Sequence, residues 1–213
     1  MTRPILYDYW RSSAAYRVRI ALNLKGIDYE SRQVDLRQGQ QQSDDYHSIN
    51  PQGLVPALEI DGHRLTQSLA IINYLDVRFP NQPLIPVAAA DRAHVVSLAL
   101  TIACDIHPLN NLRVLRYLKN ELGRSQEEID DWYRHWIDEG LPALESMAAS
   151  RAGKFLFGDG PTGADVCLVP QLYNARRYDI PLDAYPTLLR AEENANRMEA
   201  FAAAHPDRQQ VPA

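Results

Sequence analysis

The fold is decided by the stretch Trp10-Arg11-Ser12-Ser13-Ala14-Ala15-Tyr16-Arg17-Val18-Arg19-Ile20-Ala21, which turns a strand into a helix. The apolar run before it, residues 4–8, is typical of a short buried strand. After the polar turn, apolar residues recur at roughly helical spacing as far as Gly26. Ser12 or Ser13 is a suitable N-cap, and Gly26 a suitable stop. A strand followed at once by a capped helix opens a β-α-β unit.

The next sixty residues extend this start into a small α/β domain. Residues 29–34 have the aromatic and β-branched content of a second strand, and a polar loop or short irregular helix follows. Residues 54–60 read as a strand with a proline at its entrance, and Asp61-Gly62 is a hairpin signal before residues 63–66. A helix capped by Ser68 comes next. This order predicts a thioredoxin-like α/β domain over residues 1–80.

The rest of the chain has a helical pattern. Three prolines within residues 79–87 indicate a linker, and an all-α domain is predicted over residues 88–213. The expected helices cover residues 88–118, 126–149, 162–178 and 187–203. The polar tail from His205 is expected to fray. The pattern Thr162-x-x-Asp165 predicts a capping box with a structural role.

Composition excludes several classes of function. The 213 residues are 46% hydrophobic, which is enough for a substantial core. A net charge of -5 argues against a nucleic-acid partner. No leader and no apolar run of membrane-spanning length are recognised, so we expect a cytoplasmic protein without a membrane segment. Cys104 and Cys167 lie far apart and are expected to be buried packing thiols, with no disulfide and no metal site.

The start of the first helix is the expected place for chemistry. In a thioredoxin-like domain the free amides and the helix dipole stabilise an anion there. The redox branch of the fold would place C-x-x-C at this position, whereas this chain has Ser12-Ser13-Ala14-Ala15. Any thiolate must therefore belong to a ligand. Ser12 could donate to that sulfur and lower its pKa, or it could serve only as a helix cap.

Two further positions are expected to converge on the same site. A cis Val55-Pro56 bond would present the amide and carbonyl of Val55 to a peptide-like ligand. Gln67-Ser68 lies at the start of the last helix of the domain, where free amides suit a ligand carboxylate. The alternative for Ser68 is a plain helix cap.

Together these segments resemble a known family. Residues 12–21 look like the zeta-class glutathione transferase signature S-S-C-x-x-R-V-R-I-A, with Ala14 in place of the cysteine. The resemblance continues through Asn50-Pro51-Gln52-Gly53-Leu54-Val55-Pro56 and Gln67-Ser68-Leu69-Ala70-Ile71-Ile72. In the helical half it includes Asp105-Ile106-His107-Pro108-Leu109-Asn110-Asn111, residues 162–165 and Leu168-Val169-Pro170-Gln171. It thus covers nearly the whole chain.

The resemblance implies a glutathione transferase fold, a homodimer and glutathione as cofactor. It also implies cis-trans isomerisation of maleylacetoacetate to fumarylacetoacetate, in tyrosine and phenylalanine breakdown, by reversible addition of the glutathione thiolate. The alternatives are a maleylpyruvate isomerase, a general detoxifying transferase and a non-catalytic binding module. Leu112 favours maleylacetoacetate, because the pyruvate branch has an arginine there. Isomerase activity is expected to survive the loss of the family cysteine at Ala14.

For glutathione, the resemblance implies a division of roles. Ser12, with the amides of Ser13 and Ala14, is expected to hold the thiolate. The peptide part is assigned to Val55, Gln67 and Ser68, with Gln52 and His107 as weaker candidates. His107 could instead be a residue beside a kink at Pro108.

For the substrate, cationic and polar side chains are expected. Arg11 and Arg177 are assigned to carboxylates and developing negative charge, because a guanidinium binds carboxylate bidentately. Arg176 is the alternative to Arg177, since neighbouring positions on a helix point about 100° apart, and Asn111 is a further candidate. The alternative for Arg177 is a solvated salt bridge. Arg17 and Arg19, behind the site, are predicted to form structural ion pairs.

Overall fold

A four-stranded sheet forms the first part of the chain in the computed structural model, which describes residues 2–211. The strands are β1 (Ile5–Asp8), β2 (Glu30–Gln33), β3 (Ala57–Ile60) and β4 (His63–Thr66), in the order β2-β1-β3-β4. β1 runs parallel to β2 and antiparallel to β3, and β3 pairs with β4 as a hairpin. The helices α1 (Ser13–Leu24) and α3 (Ser68–Arg78) follow β1 and β4. The predicted thioredoxin-like order is confirmed.

The connections of this sheet follow from local sequence. Asp61 and Gly62 have φ angles of 51° and 79°, the left-handed pair that a two-residue hairpin of the primed type requires. The Val55-Pro56 bond is cis, the geometry that would present the main chain of Val55 to a peptide-like ligand. The polar loop between β2 and β3 contains a 3₁₀ turn, Gln40–Gln42, and the short helix α2 (Asp44–His47). The hydrophobic side of β1 packs with the loop through Tyr7, Tyr9 and Tyr46.

The second part of the chain is helical, but two of the predicted helices are interrupted. The segment expected over residues 187–203 is two helices, Pro186–Asn196 and Glu199–Ala204, and the one expected over residues 88–118 has four parts. The path expected to be one helix over residues 88–118 consists of α4 (Ala89–Leu100), a π-helical turn (Thr101–Ile106), a 3₁₀ turn (His107–Asn110) and α5 (Leu112–Asn120). Pro108 cannot donate a main-chain hydrogen bond, and Asn111 caps a new helix by accepting from the Arg113 amide at 3.1 Å. The path continues as α6 (Gln126–Ala149) and α7 (Gly163–Arg177).

The interior of this second part explains two sequence features. In α6, Ile129, Tyr133, Ile137, Leu141 and Leu144 form one buried face at helical spacing. A Cβ atom at Gly140 would collide with the side chain of Ile106, so glycine in mid-helix admits the π-helical turn.

One expectation about composition is wrong. The run Ala89–Asn120 has 32 residues and contains an 18-residue window with a mean hydropathy of 1.2, which by length and composition alone would suffice to cross a membrane. In the structure its apolar residues Val95, Leu98, Ile102 and Ile106 are buried among the other helices. Of the apolar window, 33% is buried inside the protein, so burial accounts for part of its hydropathy.

The C-terminal segment differs from the expected domain boundary. Two units are distinguished: the first ends at Leu84 and resumes at Asn196, and the second is Ile85–Ala195. The helix α8 (Pro186–Asn196) leads to α9 (Glu199–Ala204), which packs on α1 in the first unit. Hydrogen bonds from α1 side chains to the α9 main chain hold it there. The tail expected to fray from His205 forms a 3₁₀ turn, Pro206–Arg208, with Pro206 buried.

The structure also tests three smaller expectations, which concern the capping box at Thr162 and the burial of Cys104 and of Cys167. The Asp165 carboxylate accepts from the Thr162 amide at 2.8 Å, so the predicted capping box is confirmed. Cys167 is buried as expected, but Cys104 is exposed, because the π-helical turn presents it to solvent. Both cysteines are free thiols.

Candidate functional site

The start of α1 presents Ser12 as both a cap and an available hydroxyl. Its amide donates to the Tyr9 carbonyl at 2.8 Å, which closes the turn after β1. Its Oγ accepts from the Ala15 amide at 3.2 Å, so Ser12 is the N-cap. This bond uses a lone pair of the hydroxyl and not its proton. Ser12 can therefore cap the helix and donate to a ligand sulfur at the same time.

The neighbours of Ser12 differ in exposure. Ser13 is buried and begins α1, whereas Ala14 is half-buried. Arg11 is exposed, and its Cζ lies 4.8 Å from the ring centroid of Trp10, at the distance of a cation-π contact. This contact places the Arg11 guanidinium over the Trp10 ring, next to the start of α1. A guanidinium and a helix N-terminus together make this turn attractive to anions.

The entrance of β3 forms the second part of the site. The Leu54 carbonyl accepts from Tyr46 Oη at 2.8 Å and from Asn50 Nδ2 at 2.6 Å, which fixes the segment before Val55. Burial raises the pKa of Tyr46, so this donor stays protonated. Within residues 2–211, the main-chain amide and carbonyl of Val55 form no hydrogen bond to another part of the chain. These two groups fit the role of a main-chain ladder for a peptide-like ligand.

Two glutamines connect the second and third parts of the site. Gln67 Nε2 donates to Gln52 Oε1 at 2.8 Å, and both side chains are exposed. Gln67 has φ 67°, a left-handed conformation uncommon for a residue with a side chain. Such outliers concentrate at ligand clamps. The two predicted glutathione residues are thus in contact.

Ser68 is not the N-cap of α3, contrary to expectation. Gln67 occupies the cap position without a side-chain cap bond, and Ser68 is the first residue of the helix. The Ser68 Oγ instead accepts from Nη1 of Arg17 at 3.3 Å. Arg17 is only 2% exposed, so its charge acts in a poorly screened environment. A cation beneath a helix N-terminus favours a ligand carboxylate at Ser68.

The two candidate arginines of the second unit behave differently. Arg176 forms a bidentate ion pair with Glu192, with both N···O distances at 2.5 Å and the Glu192 side chain 7% exposed. Arg177 is exposed, reaches Asn174 Oδ1 at 3.4 Å and lies 5.8 Å from the ring of Tyr178. That ring stacks on Tyr133 at 3.6 Å. Arg176 is thus engaged by Glu192, whereas Arg177 has no carboxylate partner within residues 2–211, and its role as the substrate arginine stays a prediction.

The remaining two candidates lie at the interrupted helix. His107 is half-buried and begins the 3₁₀ turn that contains Pro108, which fits the kink interpretation, while its part in ligand binding stays a prediction. The Asn111 side chain caps α5. The side-chain amide nitrogen of Asn111 does not take part in that cap and can still donate.

Sequence reasoning missed the contacts of the two α1 arginines. Arg19 forms the expected ion pair, with Asp8 at 2.7 Å and both side chains fully buried. It also donates to the Trp10 carbonyl, next to the site. Arg17 contacts Ser68, a ligand candidate 51 residues away. The signal available in the sequence was two arginines inside an otherwise apolar helix.

Comparison with protein-family models identifies the family. The model of the glutathione S-transferase N-terminal domain matches residues 4–77, and that of the C-terminal domain matches residues 126–194. The chain belongs to the glutathione S-transferase family.

Individual relatives are similar over almost the whole chain. A probable maleylacetoacetate isomerase of Vibrio cholerae is 52% identical over 98% of both chains. A solved maleyl pyruvate isomerase, a bacterial glutathione S-transferase of the zeta class, is 41% identical with a TM-score of 0.95, covering 98% of this chain and 100% of the other. The maleylacetoacetate isomerase of Anaeromyxobacter dehalogenans, solved with dicarboxyethyl glutathione and citrate in its active site, is 43% identical with a TM-score of 0.87, covering 99% and 98%. The resemblance to the zeta class is confirmed.

Proposed function

We propose that this protein is a glutathione-dependent cis-trans isomerase that converts maleylacetoacetate to fumarylacetoacetate. The observation that carries the proposal is the Ser12 hydroxyl at the start of α1, which caps the helix through a lone pair and keeps its proton for a ligand. Cys104 and Cys167 both belong to the second unit, so the helix start in the first unit has no thiol of its own. The reacting sulfur is therefore that of glutathione.

The residues of the first unit fit glutathione along its length. Ser12 and the first amides of α1 suit the sulfur, because hydrogen bonds and the helix dipole stabilise a thiolate. The Val55 main chain suits the peptide part, and Gln52 with Gln67 suits its polar groups. Ser68, backed by the buried Arg17, suits the γ-glutamyl carboxylate.

When bound, glutathione supplies a thiolate that adds reversibly to the cis double bond and so lowers the barrier to rotation. The protein's own part is electrostatic. The Ser12 hydroxyl would donate to the sulfur and lower its pKa, because a hydrogen bond to the charged form favours the thiolate. Arg11 and Arg177 are the side chains proposed to bind carboxylates and to stabilise negative charge on the substrate, because each is an exposed guanidinium.

The choice of substrate has support from the relatives. The similar Vibrio cholerae protein is a probable maleylacetoacetate isomerase. The ligand dicarboxyethyl glutathione in the Anaeromyxobacter enzyme carries on its sulfur the group expected from thiol addition to a four-carbon unsaturated dicarboxylate. Maleylpyruvate is the second candidate, because a maleyl pyruvate isomerase superposes closely on this chain. Leu112, the first residue of α5, favours maleylacetoacetate, since the pyruvate branch has an arginine at that position.

The test is an isomerase assay with both maleyl substrates, each with and without glutathione. We expect turnover of both only with glutathione, and a higher kcat/KM for maleylacetoacetate. A strong preference for maleylpyruvate would replace the proposed substrate by the second candidate. Conjugation of an aromatic chloride without isomerase activity would instead indicate a detoxifying transferase.

The assignment of Arg177 is tested against its neighbour. Arg177→Ala is expected to raise KM for the maleyl substrate about 30-fold, because one charge-assisted contact to a carboxylate is lost. Arg176→Ala is the matched control: it leaves the buried Glu192 unpaired and should lower stability by about 3 kcal/mol while KM stays within about twofold. The kinetics and urea unfolding of both variants decide. A larger KM effect in Arg176→Ala would reverse the assignment.

The proposal also includes a homodimer in the cytosol and a place in tyrosine and phenylalanine breakdown. The family resemblance supports these points. Sedimentation of the purified protein tests the dimer, and a monomer that keeps full isomerase activity would remove it from the proposal.

A further inference from the structure

The Arg19 side chain lies behind the helix start and has three partners. It is fully buried. Nη1 donates to Asp8 Oδ1 at 2.7 Å, Nη2 to the Trp10 carbonyl at 3.0 Å, and Nε to the Ala204 carbonyl at 3.0 Å. A buried charge is tolerated only when it is paired and hydrogen-bonded, so these contacts fix the guanidinium in one place.

Two of these partners belong to the turn that presents Ser12. Asp8 ends β1, and the Trp10 carbonyl belongs to the peptide group that precedes Arg11. The Ser12 amide closes the same turn on the Tyr9 carbonyl. The guanidinium therefore holds the peptide between the strand end and the helix cap.

The third partner comes from the far end of the chain. Ala204 is the last residue of α9 and lies 185 positions after Arg19. Phe201 and Ala204 are fully buried, and the Asn23 side chain donates to the Ala200 carbonyl at 2.9 Å. Two side chains of α1, Arg19 and Asn23, thus hydrogen-bond to α9. Of these two, only Arg19 also contacts the turn.

We propose that Arg19 is a positioning residue for the turn from Asp8 to Ser12. The helix α9 contributes to this role, because its Ala204 carbonyl holds the guanidinium in place. The planar guanidinium can reach acceptors on the strand, the turn and α9 together, which a lysine ammonium on a flexible stem does not reproduce. A catalytic hydroxyl displaced by about 1 Å loses on the order of a hundredfold in rate. The consequence for catalysis rests on the function proposed above, whereas the positioning of the turn does not.

Arg19→Lys tests the proposal because it keeps a positive charge beside Asp8 and loses the planar guanidinium with its three hydrogen-bonding nitrogens. In the ligand-free protein, we expect hydrogen exchange of the Ser12 amide to accelerate about tenfold, the size of one lost hydrogen bond. With glutathione, we expect a higher thiol pKa and a kcat reduced about 30-fold, with KM for the substrate changed less than threefold.

Asn23→Ala is the matched control. It removes the other anchor of α9 without touching the turn. We expect it to lower the melting temperature while leaving the Ser12 exchange rate and the thiol pKa unchanged. Equal exchange rates in Arg19→Lys and Asn23→Ala would overturn the proposal and leave Arg19 a merely structural residue.

A second variant keeps the test decisive if Arg19→Lys does not fold. The double variant Asp8→Asn with Arg19→Met removes both buried charges at once, which proteins tolerate better than one orphaned charge. Faster exchange at Ser12 in the folded double variant supports the proposal, and wild-type exchange contradicts it. Because exchange needs no glutathione, a wild-type protein without isomerase activity would refute the proposed function and leave this result intact.

Discussion

The starts of α1 and α7 both carry polar side chains, and they use them differently. At α1, Ser12 is half-buried and its oxygen accepts one bond, from the Ala15 amide. At α7, the buried Asp165 accepts from the Leu156 amide, the Thr162 amide and the Thr162 hydroxyl, each at 2.8 Å. One helix start is open to a partner from outside the chain, and the other is closed on itself.

This difference teaches how to separate a ligand site from a structural cap. Both motifs have the residue types of an N-cap, so residue type does not distinguish them. The two helix starts differ in whether a side-chain hydrogen-bond donor remains unused after the hydrogen bonds within the chain have formed. The Thr162 hydroxyl donates its proton to Asp165. The Ser12 hydroxyl accepts from the chain through a lone pair, so its proton remains available.

The largest expected effect is at the open start. Ser12→Ala should lower kcat on the order of a thousandfold, because one donor to a developing charge is lost, with glutathione affinity within about threefold. Ser12→Gly separates the two roles of the serine, since glycine keeps most of the cap energy and has no hydroxyl. Steady-state kinetics and urea unfolding of both variants provide the check. Wild-type turnover in Ser12→Gly would show that the cap alone matters.

Removing the carboxylate at the closed start should affect stability instead. Asp165→Ala leaves the buried amides of Leu156 and Thr162 without their acceptor, at a cost of about 3 kcal/mol in the free energy of unfolding. Urea unfolding measures this loss. The thiol pKa of glutathione bound to the folded fraction should not move. A shifted thiol pKa at normal stability would contradict the separation of the two helix starts.

The closed start also predicts a dependence on pH. Burial raises the pKa of Asp165 to about 6 from its ordinary value of 3.8, so the folded state holds this proton more tightly than the unfolded state. The contribution to stability is therefore full below about pH 4 and is lost as pH rises to about 6, by roughly 2 kcal/mol. Unfolding free energies of the wild type minus those of Asp165→Asn isolate this group. A difference that does not vary between pH 4 and pH 6 would contradict the raised pKa.

The smallest expected effect concerns the start of α3, where Arg17 donates a hydrogen bond to Ser68. Arg17→Met should weaken glutathione binding about tenfold, because a buried cation next to Ser68 is lost. The matched ligand is glutathione with its γ-glutamyl carboxylate converted to an amide, for which the variant and the wild type should differ less than threefold. Calorimetric titration of both ligands decides. Equal losses for the two ligands would mean that Arg17 supports the fold rather than the carboxylate.

Much of the fold could be predicted from sequence because its signals are local. The hairpin at Asp61-Gly62, the limits of α6 and the capping box at Thr162 each follow from neighbouring residues. The interruption after Leu100 could not be predicted, since apolar periodicity continues through the π-helical turn, and the close approach of Ile106 to Gly140 joins residues distant in sequence.

The site was predictable as far as its residue types and no further. Ser12, Val55 and Ser68 were recognisable, but the partners that define their roles are distant in sequence. Arg17 reaches Ser68, and Arg19 reaches Ala204. Tertiary contacts of this kind leave no spacing pattern in a single chain. The cap position of α3 was mistaken for the same reason, because the Ser68 oxygen is engaged by Arg17 instead of by its own helix.

The most direct test of the open helix start is the thiol pKa of glutathione bound to the wild type and to Ser12→Gly, followed by thiolate absorbance over a pH titration. We predict a pKa well below that of free glutathione in the wild type and a return towards the free value in Ser12→Gly. The same pKa in both proteins, whether lowered or unshifted, would contradict the role of the Ser12 hydroxyl.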